Sequence, residues 1–369
     1  MELGGSLEVL VRSSSWNGRK VLITGHTGFK GGWLAMWLRM LGAEVTGLAL
    51  PAPTEPSLFD QAGIGEMVTH VEGDIRDLYI VQRMVREARP EVIFHLAAQP
   101  LVRYSYENPV ETYATNVMGT VHVLEAARHS ESVRAVICVT TDKCYENREW
   151  VWPYRETDPM GGHDPYSSSK GAAEIAIAAY RRSYSQGPKI ASVRAGNVIG
   201  GGDWAPDRLV PDIVRALQAG EPPVIRNPGS IRPWQHVLDA LSGYVLLAQR
   251  LLEGRDDLAS AWNFGPSGDD ARPVGWIVEK MLASWGSDSG WARPDGQQPH
   301  EAVLLRLDCS KARAELGWRP MMNLEQALSK VVEWHSAVHR GADAREVSLN
   351  QLTDYLERRE KTMSEAQWA

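Results

Sequence analysis

Cysteine is scarce in this chain: Cys138, Cys144 and Cys309 are all it carries. No two form a C-x-x-C pair, and none joins histidines at zinc spacing, so neither a disulfide framework nor a metal site is expected. Such a thiol set reads as small buried hydrophobes in a reducing cytoplasmic compartment. An excess of positive charge is missing too, because 39 Lys and Arg face 46 Asp and Glu and leave a net charge of -7. No basic stripe invites nucleic acid, and an anionic substrate has to be met by local cations. No run of ~18 apolar residues occurs, so no membrane partner is expected. Residues 1–15 lack a basic start followed by an apolar core, and they read as a flexible leader, not a signal peptide. Internal repeats and low-complexity tracts are absent.

What is present is 369 residues with 43% hydrophobic and 23% charged content, ordinary for a globular protein. That length suits one large α/β unit or a Rossmann core with a second lobe. Short apolar runs are expected as strands at Lys20–Thr24, Glu44–Leu50, Val68–Glu72, Val92–Ala97, Val133–Thr140 and Ile190–Val193. Helical spacing is expected at Trp33–Leu41, Leu78–Ala88, Glu111–Arg128, Tyr166–Tyr184, Leu209–Gln218 and Asn323–His339. Strands alternating with helices make βαβ units, and strands apolar throughout are covered on both faces. The fold class is therefore α/β, a Rossmann-type doubly wound parallel sheet with a smaller mixed C-terminal substrate lobe. The expected core spans 16–198 with elements returning near 236–264. The lobe takes 199–235 and 265–345, and 346–369 is a terminal helix or tail.

Thr24-Gly-His-Thr-Gly-Phe-Lys-Gly31 follows the first strand and opens a helix. Glycines at 25, 28 and 31 allow a tight turn and close backbone approach to a pyrophosphate at the helix N-terminus. Gly25, Thr27, Gly28, Phe29, Lys30 and Gly31 are thus candidate cofactor residues. Asp74 and Ile75 follow the third strand, where an acid can accept from an adenine amino group. Leu96, Ala97 and Ala98 end the fourth strand with residues small enough for a cofactor to lie close. Together they describe a dinucleotide along the carboxyl ends of the strands. One element is missing: the acid about 20 residues after the glycine loop that binds the adenosine ribose. The second strand ends Thr46-Gly-Leu-Ala-Leu50, without an acid and without an arginine for a 2′-phosphate. NAD is favoured over NADP on other grounds.

Tyr166-Ser-Ser-Ser-Lys170 places a phenol and an ammonium one helical turn apart on one face. A nearby cation favours phenolate and should lower the tyrosine pKa from about 10. Such a pair can take a proton from a substrate hydroxyl while a hydride leaves for nicotinamide. Thr141 stands at the end of the fifth strand. Directly after it come an acid and an amine, Asp142 and Lys143, in a place where a plain dehydrogenase needs neither.

These residues resemble the extended short-chain dehydrogenases/reductases. Within them, five segments look like the CDP-glucose 4,6-dehydratases: 25–33, 53–59, 140–145, 196–204 and 232–237. The resemblance runs from about Trp16 to about Tyr355. It implies that a nucleotide hexose is oxidised at C4, loses water across C5–C6 and is reduced at C6, with NAD regenerated. On that resemblance Tyr166 is the base for the C4 hydroxyl, Thr141 bonds the same oxygen, and Lys170 tunes Tyr166 and holds the nicotinamide ribose. Asp142 is the acid for the leaving hydroxyl and Lys143 the C5 base. Relatives acting on dTDP-glucose carry Glu at that position, so Lys marks the CDP-type subgroup. Asn197, Leu209, Val210 and Arg232 match positions that hold the substrate's diphosphate and base. His300 is a candidate for closing the pocket, and Arg194, Arg208 and Arg226 are unranked cations. His163 stands where the subgroup is expected to carry Tyr. The resemblance also implies a homodimer built on the helices that begin at Glu111 and Tyr166. A dehydratase on a dTDP or GDP sugar, a 4-epimerase and a non-catalytic nucleotide-binding regulator are the alternatives. Asp142-Lys143 counts against the epimerase, and the intact Thr141, Tyr166 and Lys170 against the regulator.

Overall fold

Strand β1 (Lys20–Thr24) is buried after its first residue, which already requires cover on both faces. In the computed structural model, which describes residues 15–270, 272–294 and 304–366, six further strands join it. They are β2 (Glu44–Ala49), β3 (Thr69–Glu72), β4 (Val92–His95), β5 (Ala135–Val139), β6 (Lys189–Ala195) and β9 (Ala261–Phe264). The sheet order is β3-β2-β1-β4-β5-β6-β9, and every pairing is parallel. Chain order reverses between β1 and β4, and that switch point opens a crevice at the carboxyl ends.

The pleat divides the core. Leu22, Ile93 and Val136 face one side, with Val81, Val123 and Ile177. Ile23, Phe94 and Ile137 face the other, with Trp33, Trp37 and Leu241. Each such side chain taken from water contributes roughly 1.5–3 kcal/mol. The helix Val237–Leu252 lies in the second layer, and β9 then closes the sheet edge beside β6. A smaller parallel pair, β7 (Asn197–Ile199) with β8 (Trp234–His236), stands apart from this sheet.

Three helix starts follow their capping residues. Asp77 accepts from the Tyr79 amide at 2.9 Å, Asp164 from Ser167 at 2.8 Å, and Asn323 forms a reciprocal capping box with Gln326. Two expectations change. The first helix begins at Phe29, not Trp33, because Gly28 is its N-cap. The expected helix Glu111–Arg128 is interrupted: Pro109–Tyr113 runs into a π-turn, Ala114–Met118, before Gly119–Arg128. The π-turn carries Asn116, whose side chain is bonded to Gln99 and Ser169, so tertiary hydrogen bonds override the regular spacing. Residues 1–14 of the expected leader, and His300, lie outside the described residues.

Candidate active site

Gly25 has φ +80, and a Cβ there would meet the Ala97 amide nitrogen at 2.7 Å; a Cβ on Gly31 would meet the Gly25 carbonyl oxygen at 2.1 Å. The loop is therefore threaded between the end of β4 and its own helix, and two of its glycines have no substitute. No side chain caps the helix Phe29–Met40 at Gly28, so its first amides remain to be satisfied by a ligand or water. The loop thus fits a pyrophosphate. The Thr27 hydroxyl donates to the Leu50 carbonyl at 2.9 Å. Asp74 accepts from the Arg76 amide at 2.8 Å and its guanidinium at 2.7 Å. Ile75 packs on Gly119, where a Cβ would lie 2.4 Å from its Cδ1. Leu96 and Ala97 donate to the Thr24 carbonyl and hydroxyl at 3.0 and 3.3 Å, which holds Ala98 at the same strand end.

The missing ribose acid has a neighbour. A cavity of about 780 Å³ beside the loop is lined by Thr27, the Pro51–Ser57 segment, His70 and Glu72. Glu72 pairs in register with Ala49, so the adjacent strand supplies an acid where β2 has none.

Across the crevice, Thr141 caps the 3-10 turn Asp142–Cys144. Its hydroxyl donates to Asp142 at 3.0 Å and accepts from the Lys143 amide at 3.3 Å. Asp142 is buried beside Gly196, where a Cβ would stand 3.2 Å from its Oδ2. Burial raises its carboxyl above the ordinary range, against the pull of Lys143, Thr141 and Arg232. Lys143 is half-buried. The turn also packs on the helix Pro165–Ser183, which carries Tyr166.

Tyr166 and Lys170 share one buried face of that helix. The Tyr166 amide donates to Ser105 Oγ at 3.1 Å, and Lys170 Nζ to the Val139 carbonyl at 3.5 Å. Here the expected pKa direction is corrected. Burial pushes Tyr166 up to about 12, with Thr141 and Arg208 pulling it down. Burial lowers Lys170 to about 8, opposed by Glu174. Desolvation outweighs the cation for the phenol, because both groups sit in the same dry wall.

Further cations converge there. Burial lowers Lys30 to about 8, with Arg208 and Lys170 adding to the shift and Asp142 opposing it. Arg208 is held by Asp203 at 3.0 Å, and its charge acts on Tyr166. Arg232 stands just before β8, next to Pro233, whose carbonyl accepts from the Asn197 amide of β7 at 3.1 Å, and its charge reaches Asp142. Leu209 begins the helix Leu209–Ala219, and Val210 is buried in the core. Of the unranked arginines, Arg194 is committed to Glu174 at 2.8 Å inside the core, Arg226 stands 3.9 Å from Asp207, and Arg208 is the one whose charge acts on Tyr166. His163 is exposed, 2.9 Å from Glu146.

Ser105, Asn116, Asp203 and Glu174 were not singled out from the sequence. The signal available for Asn116 was a polar residue on the buried side of an otherwise apolar helix. For Glu174 it was its place four residues after Lys170.

Comparison with known proteins agrees with this geometry. The NAD dependent epimerase/dehydratase family matches residues 21–263. The chain is 51% identical, over 94% of its length and 99% of the relative's, to a CDP-glucose 4,6-dehydratase from Salmonella typhimurium. A dTDP-glucose 4,6-dehydratase from Xanthomonas campestris is 28% identical, over 85% and 92% of the two chains. Among solved structures, a UDP-glucose 4-epimerase from Thermus thermophilus in complex with NAD superposes with TM-score 0.73 at 26% identity, covering 87% and 99%. A dTDP-glucose 4,6-dehydratase from Streptomyces venezuelae with NAD bound gives TM-score 0.72 at 25% identity, covering 85% and 96%. With a pyrophosphate loop, a Thr-Tyr-Lys wall and these relatives in hand, the chain belongs to the NAD dependent epimerase/dehydratase family.

Proposed function

We propose that this enzyme is a hydro-lyase that converts CDP-glucose to CDP-4-keto-6-deoxyglucose for deoxysugar biosynthesis. The observation that carries the reading is the acid–amine pair Asp142-Lys143 placed directly after Thr141 and beside Tyr166. An epimerase needs no such pair, and 51% identity to a CDP-glucose 4,6-dehydratase supports the cytidine form of the substrate.

Gly25, Gly28, Gly31 and the helix behind them would hold the pyrophosphate of NAD, with Asp74 and Ile75 at the adenine and Lys170 at the nicotinamide ribose. NAD supplies an acceptor for the C4 hydride and a donor of the same hydride to C6. Tyr166, as phenolate, takes the C4 hydroxyl proton, and Thr141 bonds the oxygen that becomes a ketone. That ketone acidifies the C5 proton, which Lys143 removes. Asp142 gives its proton to the C6 hydroxyl, and the C6–O bond breaks to release water. Delivery of the hydride to C6 and of a proton to C5 completes the product. Burial of Asp142 favours the protonated form that this role needs. Arg232 and Asn197 are assigned to the diphosphate, because a guanidinium offers a fork of donors to it. Leu209 and Val210 are assigned to the nucleotide end, as part of the lobe made by 199–235 and 265–345.

The three cysteines are free and buried, which supports a reducing cytoplasmic setting. Exposed apolar side chains on the helices from Val102 to Arg128 and on Pro165–Ser183 support a homodimer. Side-by-side incubation with NAD and CDP-, dTDP-, GDP- or UDP-glucose tests the activity. Alkaline absorbance of a 4-keto-6-deoxy sugar is expected from CDP-glucose. A C4 epimer without keto sugar would sink the assignment.

A further inference from the structure

Directly beneath the catalytic wall lies a buried ion pair that the reaction does not use. Glu174 and Arg194 stand 2.8 Å apart with side-chain exposures of 3% and 4%. Glu174 follows Tyr166 and Lys170 on the same helical face, at steps of four residues. It accepts from Thr140 Oγ1 at 2.5 Å, from Ser192 Oγ at 2.8 Å and from Arg194 Nη2 at 2.8 Å. Arg194 also donates to the Tyr145 hydroxyl at 2.7 Å and the Glu156 carbonyl at 3.2 Å. Its guanidinium lies 4.9 Å from the Tyr145 ring centre, and Tyr145 in turn donates to Asn263 at 2.7 Å.

Two facts in that network go together. Thr140 is the residue before Thr141, and Tyr145 the residue after Cys144. The turn that carries Thr141, Asp142 and Lys143 is therefore pinned at both ends to one ion pair, and that pair rises from the helix of Tyr166 and Lys170. A buried ion pair is weak evidence of stabilisation, since apolar residues of the same volume often do as well. The Nε of Arg194 has no hydrogen-bond partner among the described residues, so the pair is not arranged to satisfy every donor. Its geometry is arranged to join two elements.

We propose that Glu174 and Arg194 are positioning residues, which set the dehydration turn in register with the oxidation helix. The inference rests on the assignment of dehydration to Asp142 and Lys143. Oxidation at C4 draws Tyr166 and Lys170 from their own helix and only Thr141 from the turn, whereas the C5–C6 chemistry takes both its acid and its base from the turn. Loosening the turn without touching the substrate then slows elimination more than oxidation. Misplacement of about 1 Å costs up to about a hundredfold in rate, so a loss on the order of tenfold in elimination relative to oxidation is expected.

Glu174→Ala would strand a buried guanidinium and unfold the chain, so the test uses lighter changes. Tyr145→Phe and Thr140→Val each delete one hydroxyl of the brace and keep the side-chain shape. For the NAD-loaded enzyme with CDP-glucose, C4 oxidation is read as nicotinamide absorbance in stopped flow. Elimination is read as exchange of the C5 hydrogen with deuterated water by mass spectrometry. Thermal unfolding is recorded for each variant. The ratio of exchange to oxidation should fall on the order of tenfold in both variants, and Thr140→Ser should restore it. An unchanged ratio, with both steps slowed equally or neither slowed, overturns the positioning role. Absence of C5 exchange in the unmutated enzyme instead overturns the dehydration reading, and the proposal with it.

Discussion

In the proposed reaction, Asp142 and Lys143 decide what the wall of Thr141, Tyr166 and Lys170 can do. Burial raises the Asp142 carboxyl above its usual range, the direction that a proton donor to a leaving hydroxyl needs. Lys143→Met should therefore keep slow C4 oxidation and lose C5 exchange with solvent, by at least on the order of a hundredfold for a missing general base. Unchanged exchange in that variant would remove Lys143 from the role. Lys170 sets a pH limit with a definite sign. Its pKa is lowered to about 8 by burial, so it is charged below that pH and neutral above it. The charged form supports a phenolate at Tyr166, whose own pKa is pushed up to about 12. Below about 8 oxidation should rise with pH as phenolate accumulates beside a charged Lys170; above about 8 loss of the ammonium offsets that gain and the profile should run level, and Lys170→Met should be slow throughout with that level limb gone. A pH–rate profile of the single-turnover oxidation checks both, and a limb that persists in Lys170→Met assigns it elsewhere.

At the scale of elements, the glycine loop is the most demanding piece. A methyl group on Gly31 would sit 2.1 Å from the Gly25 carbonyl oxygen, whereas one on Gly28 would stand 3.4 Å from it. Gly31→Ala should abolish NAD binding and lower the melting temperature; calorimetric titration with NAD and a thermal melt test this. Wild-type affinity in Gly31→Ala would mean that the helix can retreat from the loop. That loop was legible in the sequence because its constraint is local. The strands were legible too, since two covered faces leave unbroken apolar runs at β1, β4 and β5. The π-turn at Ala114–Met118 was not, because its cause is Asn116 reaching Gln99 and Ser169, partners 17 and 53 residues away. Arg194 and Glu174 were hidden for the same reason: each reads as an ordinary charge until helix and strand are packed. Arg208 becomes distinguishable from Arg194 and Arg226 only once the packed chain brings its charge, held by Asp203, to bear on Tyr166.

At the scale of the whole molecule, one face is left apolar. Tyr106 is 64% exposed, Val110 82%, Met118 48% and Ile175 63%. They lie on the segments Val102–Glu107, Pro109–Tyr113, Ala114–Met118 and Pro165–Ser183, whose elements pack against one another. In the proposed homodimer, a second copy would cover these side chains with the same ones, which suits a chain of net charge -7. A stable isologous contact needs on the order of 800 Å² per partner, which two helices a side can supply. Tyr113 bonds Ser168 across these elements at 2.5 Å, two residues from Tyr166, so these segments adjoin the helix that carries Tyr166. Sedimentation should give twice the chain mass of 40.9 kDa, and Val110→Glu with Ile175→Glu should return it to one chain by setting like charges in the buried seam. Because neither side chain lines the crevice of Gly25 and Thr141, the separated chain should still bind NAD. A double variant that stays dimeric would move the interface to another face.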